Sequence, residues 1–206
     1  SLRFLHDLII DLDIRMVLAT RLPASAIRRF LEWIARNAWE RYNHNEVRRE
    51  LKLGPQTQKN LLYAMESVFL VRRIPIRGQT GETIILEDQL EELVLSNGEL
   101  QIERRIAGAL YRNIRAQFGY RLGTEARFET YRTRDGARVP IVVRTRESSI
   151  GIIPVLDEEP SLSQKRSGAS FLRRFSDSRL VYASMASIRP KILDERSLLA
   201  PLHSLL

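Results

Sequence analysis

The Asp135-Gly136 pair, set between two runs rich in β-branched and apolar residues, constrains this chain more than any other feature. Asp-Gly supplies the positive-φ positions that a tight hairpin turn needs, so strands are predicted over residues 126–133 and 137–144, with the turn at Arg134-Asp135-Gly136. A third strand is predicted over residues 149–156, then an acidic loop at Asp157-Glu158-Glu159 and a helix around 167–175.

The first half reads as helices. Phe4, Leu5, Leu8, Ile9 and Leu12 recur at helical spacing, which predicts one amphipathic helix, or two short ones, over residues 2–19. Pro23 breaks it. Ser25 is predicted to cap a helix whose apolar stripe is Ile27, Phe30, Leu31, Ile34, Ala35 and Ala38. Trp33 and Trp39 lie in that region and are expected in the core. Asn43 with Glu46 reads as a capping box opening a short helix that ends at Gly54. Pro55 then opens a helix that buries Leu61, Leu62, Met65 and Val68.

Two short helices split by Leu53-Gly54-Pro55 form a helix-turn-helix pattern. An apolar strand over 69–77, a turn at Gly78-Gln79-Thr80-Gly81 and a returning strand over 82–86 extend it into a winged helix. The second helix begins Gln56-Thr57-Gln58-Lys59-Asn60, a polar set suited to base edges and phosphates. Arg72, Arg73 and Arg77 on the wing are candidates for backbone contacts. Gln56, Thr57, Gln58, Lys59, Arg72, Arg73 and Arg77 are thus the candidate nucleic-acid-binding set. A winged helix that docks a protein instead is the competing reading.

Residues 87–95 are predicted to form a short acidic helix with Leu86, Leu90, Leu93 and Val94 on one face, and Ser96-Asn97-Gly98 to mark a domain boundary. Residues 103–118 follow as a basic helix with Ile106, Leu110, Ile114 and Phe118 facing a core. The net charge of +8 is uneven. Residues 1–100 carry 14 basic and 14 acidic side chains, whereas residues 101–206 carry 19 and 11. Eleven arginines lie between Arg104 and Arg146, against Glu125, Glu129 and Asp135. Such clustering is either a footprint for nucleic acid or an acidic protein surface, or a solvated face.

The whole chain resembles the C-terminal region, a domain of unknown function, of prokaryotic AAA-type ATPases. The resemblance rests on Asp13-Ile14, on Leu53-Gly54-x-x-Thr57-x-x-x-Leu61, on Val68-Phe69-Leu70-Val71, on Glu87 with Leu90, and on the hairpin Tyr131-Arg132-Thr133-x-Asp135-Gly136. It implies a winged helix followed by a restriction-endonuclease-like domain, with the ATPase module itself as a partner. In such a nuclease frame an Asp on the second strand and a Glu-x-Lys on the third hold a divalent metal and steady the attacking water. The family commonly has Glu-Val-Asp after the hairpin and Glu-Val-Lys on the next strand. Here the corresponding segments are Arg138-Val139-Pro140 and Pro154-Val155-Leu156. Pro140, Pro154 and Leu156 bind no Mg²⁺, so the frame is expected without its chemistry. Glu147, Asp157, Glu158, Glu159 and Lys165 are the groups from which a rebuilt metal site would have to come.

Other chemistry is excluded by pattern. There is no G-x-x-x-x-G-K-[ST] for a nucleotide and no cysteine for disulfides, thiol catalysis or zinc fingers. His6, His44 and His203 lack metal-ligand spacing. No apolar run approaches the roughly 18 residues of a membrane span. The lack of cysteine fits a reducing cytoplasm, and a start at Ser1 suggests a fragment of a longer protein.

The expected architecture is therefore α+β. Residues 1–24 form a helical linker from an absent ATPase module, 25–96 a winged-helix domain and 97–206 a nuclease-like domain without catalytic residues. The expected function is a non-catalytic, cofactor-free module that binds DNA or a protein target and has no membrane partner. A stand-alone DNA-binding regulator and a cryptic nuclease are the alternatives.

Overall fold

The computed structural model describes residues 13–18, 22–88, 102–119, 125–146 and 148–205. Most of the helix expected over 2–19, the acidic helix from residue 89 on with Leu90, the boundary at 96–98, His6 and Glu147 lie outside the described residues. The chain is mixed α+β and divides into two compact units, Ser1–Arg73 with Thr83–Leu100, and Ile74–Glu82 with Gln101–Leu206. The turn of the first hairpin thus groups with the second unit, although the sequence reading kept it with the helices. No helix among the described residues is long and apolar enough to cross a membrane.

Among its described residues the first unit has the short α1 (Arg15–Val17), then α2 (Ala24–Arg36), α3 (His44–Leu51) and α4 (Pro55–Ser67). α2 starts after Pro23 without a side-chain cap, so Ser25 lies inside the helix rather than before it. Its stripe is buried as expected: Ile27, Phe30 and Ala35 are sealed from solvent, with Ile34 at 1% exposure. Asn43 caps α3 by accepting from Asn45 N, not through a reciprocal box with Glu46. α3 ends at Lys52, which takes the left-handed conformation (φ 59°) usually left to glycine, and its N–H bonds Arg48 O. Gly54 instead precedes α4 with φ −68°, and Pro55 occupies the first turn, where its missing N–H does no harm. Leu61, Leu62 and Met65 of α4 join Phe30, Leu31 and Val47 in one core. Trp33 is 3% exposed and donates to Glu50 Oε2 at 2.9 Å. Strands β1 (Val71–Pro75) and β2 (Glu82–Leu86) form a two-stranded sheet.

The second unit places α5 (Ile102–Gln117) before β3 (Arg127–Arg132), β4 (Arg138–Arg144) and β5 (Ser149–Val155). α6 (Leu162–Arg174), β6 (Ser178–Ser184), β7 (Lys191–Asp194) and β8 (Ser197–Pro201) complete it. The six strands lie in the order β3-β4-β5-β6-β8-β7, antiparallel at both edges and parallel from β5 through β6 to β8. The β3–β4 hairpin turns at Asp135-Gly136, with Gly136 at φ 86°. α6 begins at a full capping box, Ser161 with Gln164, a signal visible in the sequence.

α6 crosses the sheet over Gly151, where a Cβ would come within 2.8 Å of Phe171, and at Gly168, where it would overlap Leu180 and Tyr182. Small residues let helix and sheet approach closely and bury Phe171 against Tyr131, Val139 and Ile153. On the other face Tyr111 of α5 stacks edge-on against Phe128, ring centroids 5.3 Å apart.

Candidate functional site

α4 carries two faces with different duties. Residues 58, 61, 62 and 65 fall at i, i+3, i+4 and i+7, and all four are buried. Gln58 is therefore not available to a ligand. Its Oε1 accepts from the Tyr42 hydroxyl at 2.9 Å and meets His44 Nδ1 at 2.8 Å, while its Nε2 donates to His44 O at 3.0 Å and Leu53 O at 2.8 Å. That amide bolts the segment before α3 and the α3–α4 turn onto α4. The expectation that Gln58 reads a target is corrected by its burial.

The opposite face presents Gln56, Lys59, Asn60 and Tyr63, all exposed, with Tyr63 at 66%. Gln56 Nε2 donates to Asn60 Oδ1 at 2.8 Å, which holds the two amides side by side. Thr57 is half-buried beside this face. Arg48, Arg49 and Lys52 are exposed on α3 and its end. Lys59 and Lys52 make no ion pair with any described residue. Tyr63 was missed in the sequence, although it continues the spacing of residues 56, 59 and 60.

The three hairpin arginines are engaged in the fold. Arg72 Nε donates to Glu87 Oε1 at 2.6 Å, and Glu87 is largely buried. Arg73 lies 3.9 Å from Glu66 Oε2 and its N–H donates to Glu66 Oε1 at 3.3 Å. Arg77 is sunk in the second unit, 3.9 Å from Glu129 and 4.0 Å above the Phe175 ring. Burial lowers its pKa from the ordinary arginine value, and Glu129 works against that shift. Clustered arginine looks the same in sequence whether it is free or spent on carboxylates. Arg72, Arg73 and Arg77 are each paired with a carboxylate of the fold, and Arg77 is the most enclosed of the three.

Pro140, Pro154 and Leu156 lie toward the same end of β4 and β5. The β3–β4 pairing runs Glu129↔Val142 then Tyr131↔Val139, so Thr130 stands opposite both Pro140 and Ile141, a bulge. The β4–β5 ladder ends at Ile141↔Ile152, one residue before Pro140. Pro140 thus lies where a missing N–H breaks no ladder. Val155 O accepts from Met185 N and so faces β6, which turns the polar groups of Pro154 toward the open end of β4. There Pro154 O accepts from Gln164 Nε2 at 2.9 Å. Ile141, Ile153 and Pro154 are buried, and Leu156 is half-buried.

Asp157, Glu158 and Glu159 are exposed on the loop after β5. Glu159 is held by Lys165 at 3.5 Å and Lys191 at 3.3 Å. Among the described residues no group of three or more His, Cys, Asp or Glu side chains lies close enough to share a metal ion. Comparison with protein-family models, curated proteins and solved structures found no match.

Pro140→Asp with Pro154→Glu and Leu156→Lys should therefore destabilise the second unit by about 1–3 kcal/mol, because Pro154→Glu buries a carboxylate without a partner. Thermal melts with and without Mg²⁺ measure it. An unchanged midpoint together with stoichiometric metal binding would show that this end of the sheet has room for a site.

Proposed function

We propose that this chain is a non-catalytic target-binding module that contacts nucleic acid through the exposed face of α4. The observation that carries the reading is that face: Gln56, Lys59 and Asn60 with the exposed Tyr63, while Arg48, Arg49 and Lys52 are exposed on α3 and its end. Amides at this spacing suit base edges, the cations suit phosphates, and a tyrosine adds a stacking or backbone contact. The order α2-α3-α4-β1-β2 supports reading the unit as a winged helix in which α4 is the helix that meets the target.

The second unit is read as a nuclease-like frame whose metal positions have become Pro140, Pro154 and Leu156. The resemblance to the C-terminal region of AAA-type ATPases supplies the setting: a cytoplasmic module that holds a target for a motor. The apolar residues at the former ligand positions favour binding over cleavage.

The test is fluorescence anisotropy of a labelled duplex at several salt concentrations. Wild type should bind with an affinity that falls steeply with salt, since each neutralised phosphate releases counterions. Lys59→Glu and Lys52→Glu should each reduce the salt slope by about one, and Tyr63→Ala should weaken binding without changing the slope. Arg72→Glu should act on the melting temperature instead. An absence of binding at low salt, or full binding by the Lys52/Lys59 double variant, would overturn the reading and favour a protein target.

A further inference from the structure

We propose that a cleft in the second unit, bounded by α6 and strands β6 to β8, binds a small organic anion with an apolar or aromatic body. The cleft measures about 880 Å³. Small-molecule sites usually span roughly 300–1,000 Å³, with an apolar lining and a few converging polar groups. This one has that make-up. Leu172, Leu180 and Leu193 line it with the ring of Tyr182, and Leu180 and Tyr182 are 1% and 4% exposed.

The charges around it are unequal. Four cations, Lys165, Arg173, Lys191 and Arg196, face two acids, Glu159 and Asp194. Both acids are already committed. The hydrogen bond from Lys191, with the charges of Lys191 and Lys165, holds the Glu159 carboxyl below its usual range. Asp194 accepts from the Ser197 hydroxyl and from Arg196 N at 2.8 Å, which lowers it likewise. Arg196 is anchored by its Nη1 on Leu172 O at 3.2 Å and Ser176 O at 2.8 Å. Arg173 is exposed and makes no ion pair with any described residue. The field at the mouth therefore favours an anion, and Arg173 is the cation left to meet it.

Tyr182 decides the chemistry inside. Its hydroxyl makes no hydrogen bond to any described residue, although the side chain is buried in the lining. The oxygen itself is not among the buried polar atoms left without a partner, so it is reached by solvent. Burial, with Asp194 adding to it, pushes this phenol up to about 12, so it remains a donor at neutral pH. A hydroxyl donor in the lining and an exposed cation beside it define a ligand with an acceptor-bearing anionic head on an apolar body. Aryl phosphates and aryl carboxylates share that description.

Calorimetric titration of the full chain with naphthyl phosphate, naphthoate and neutral naphthol tests it. At least one anion should bind saturably at one per chain, with naphthol about tenfold weaker, and the two anions tell a phosphate head from a carboxylate. Tyr182→Phe should weaken the bound anion by about five- to tenfold at an unchanged melting temperature, and Arg173→Glu by about tenfold. The inference is overturned if neither anion saturates, if naphthol binds equally well, or if both variants bind as wild type. A melting temperature lowered by Tyr182→Phe would also overturn it, because the hydroxyl would then have a protein partner.

Discussion

Replacing Gln58 with leucine should cost the first unit about 3–5 kcal/mol, although the two side chains are close in size. The loss is polar rather than steric. Leucine fills the space but takes away the acceptor that the Tyr42 hydroxyl uses and the donor that the Leu53 carbonyl uses, both in buried hydrogen bonds. Each buried polar group that loses its hydrogen bond in this way costs about 1–3 kcal/mol. His44 is exposed, so its released carbonyl and ring nitrogen turn to water at small cost. Denaturant melts followed by tryptophan fluorescence measure the effect, since Trp33 stacks edge-on against Tyr42 at 5.7 Å. Gln58→Glu should do no better. It keeps an acceptor for Tyr42, loses both donated bonds and places a charge at a site with no exposure. A melting curve like that of wild type, with duplex binding lost, would return Gln58 to the target-contacting set.

Glu129→Ala should destabilise the second unit by about 3 kcal/mol, more than Arg77→Met. Glu129 is 12% exposed and lies between Arg144, at 3.2 Å, and Arg77, at 3.9 Å. Removing the carboxylate leaves Arg77, itself 12% exposed, with only the smaller offsetting charge of Asp177. Arg77→Met leaves Glu129 paired with Arg144 and keeps an apolar side chain on Phe175, so the cost falls to roughly 1–2 kcal/mol. The network is incompletely satisfied even in wild type: Arg77 Nη1, Arg144 Nε and Glu129 Oε2 are buried without hydrogen-bond partners among the described residues. Thermal melts of the two variants, compared at the same salt concentration, rank them. The reverse order would mean that the arginine stack on Phe175, rather than the charge pairing, holds this corner.

How much of this was legible in the sequence depends on whether a residue's role is local. The Asp135-Gly136 turn and strand Glu82–Leu86 were read correctly because turn chemistry and apolar runs are properties of neighbours in the chain. The end of α3 was misplaced because a lysine, Lys52, takes the left-handed position where Gly54 was the obvious candidate. Gln58 was legible in principle. Its spacing with Leu61, Leu62 and Met65 puts it on the buried stripe, and its polarity hid that. Strands β6, β7 and β8 were not read at all; β6 lies inside the sheet, where neither face need alternate. The fate of Arg72, Arg73 and Arg77 was not legible, since it depends on carboxylates up to 52 residues away, Glu129 being the farthest. Nor was the cleft beside α6, whose lining is drawn from residues between Glu159 and Ser197 by a parallel crossover.

The grouping of residues 74–82 with the second unit makes this chain poor material for cut-and-paste. A graft of residues 101–206 alone would arrive without the strand fragment that bridges Ile76 to Thr130. It would also lack the Arg77 N–H on Thr130 O, the Gln79 amide on Arg132 O and the Gly78 carbonyl that Arg174 holds at 2.9 Å. The Glu129 carboxylate would lose one of its two guanidinium partners and Phe175 its cation. On the ribosome the borrowed segment emerges well before the strands that receive it, so the second unit is completed by recruitment of older chain rather than by the newest. Recombination at residue 100 therefore gives two incomplete pieces, and any natural exchange of either part has to carry the loop along.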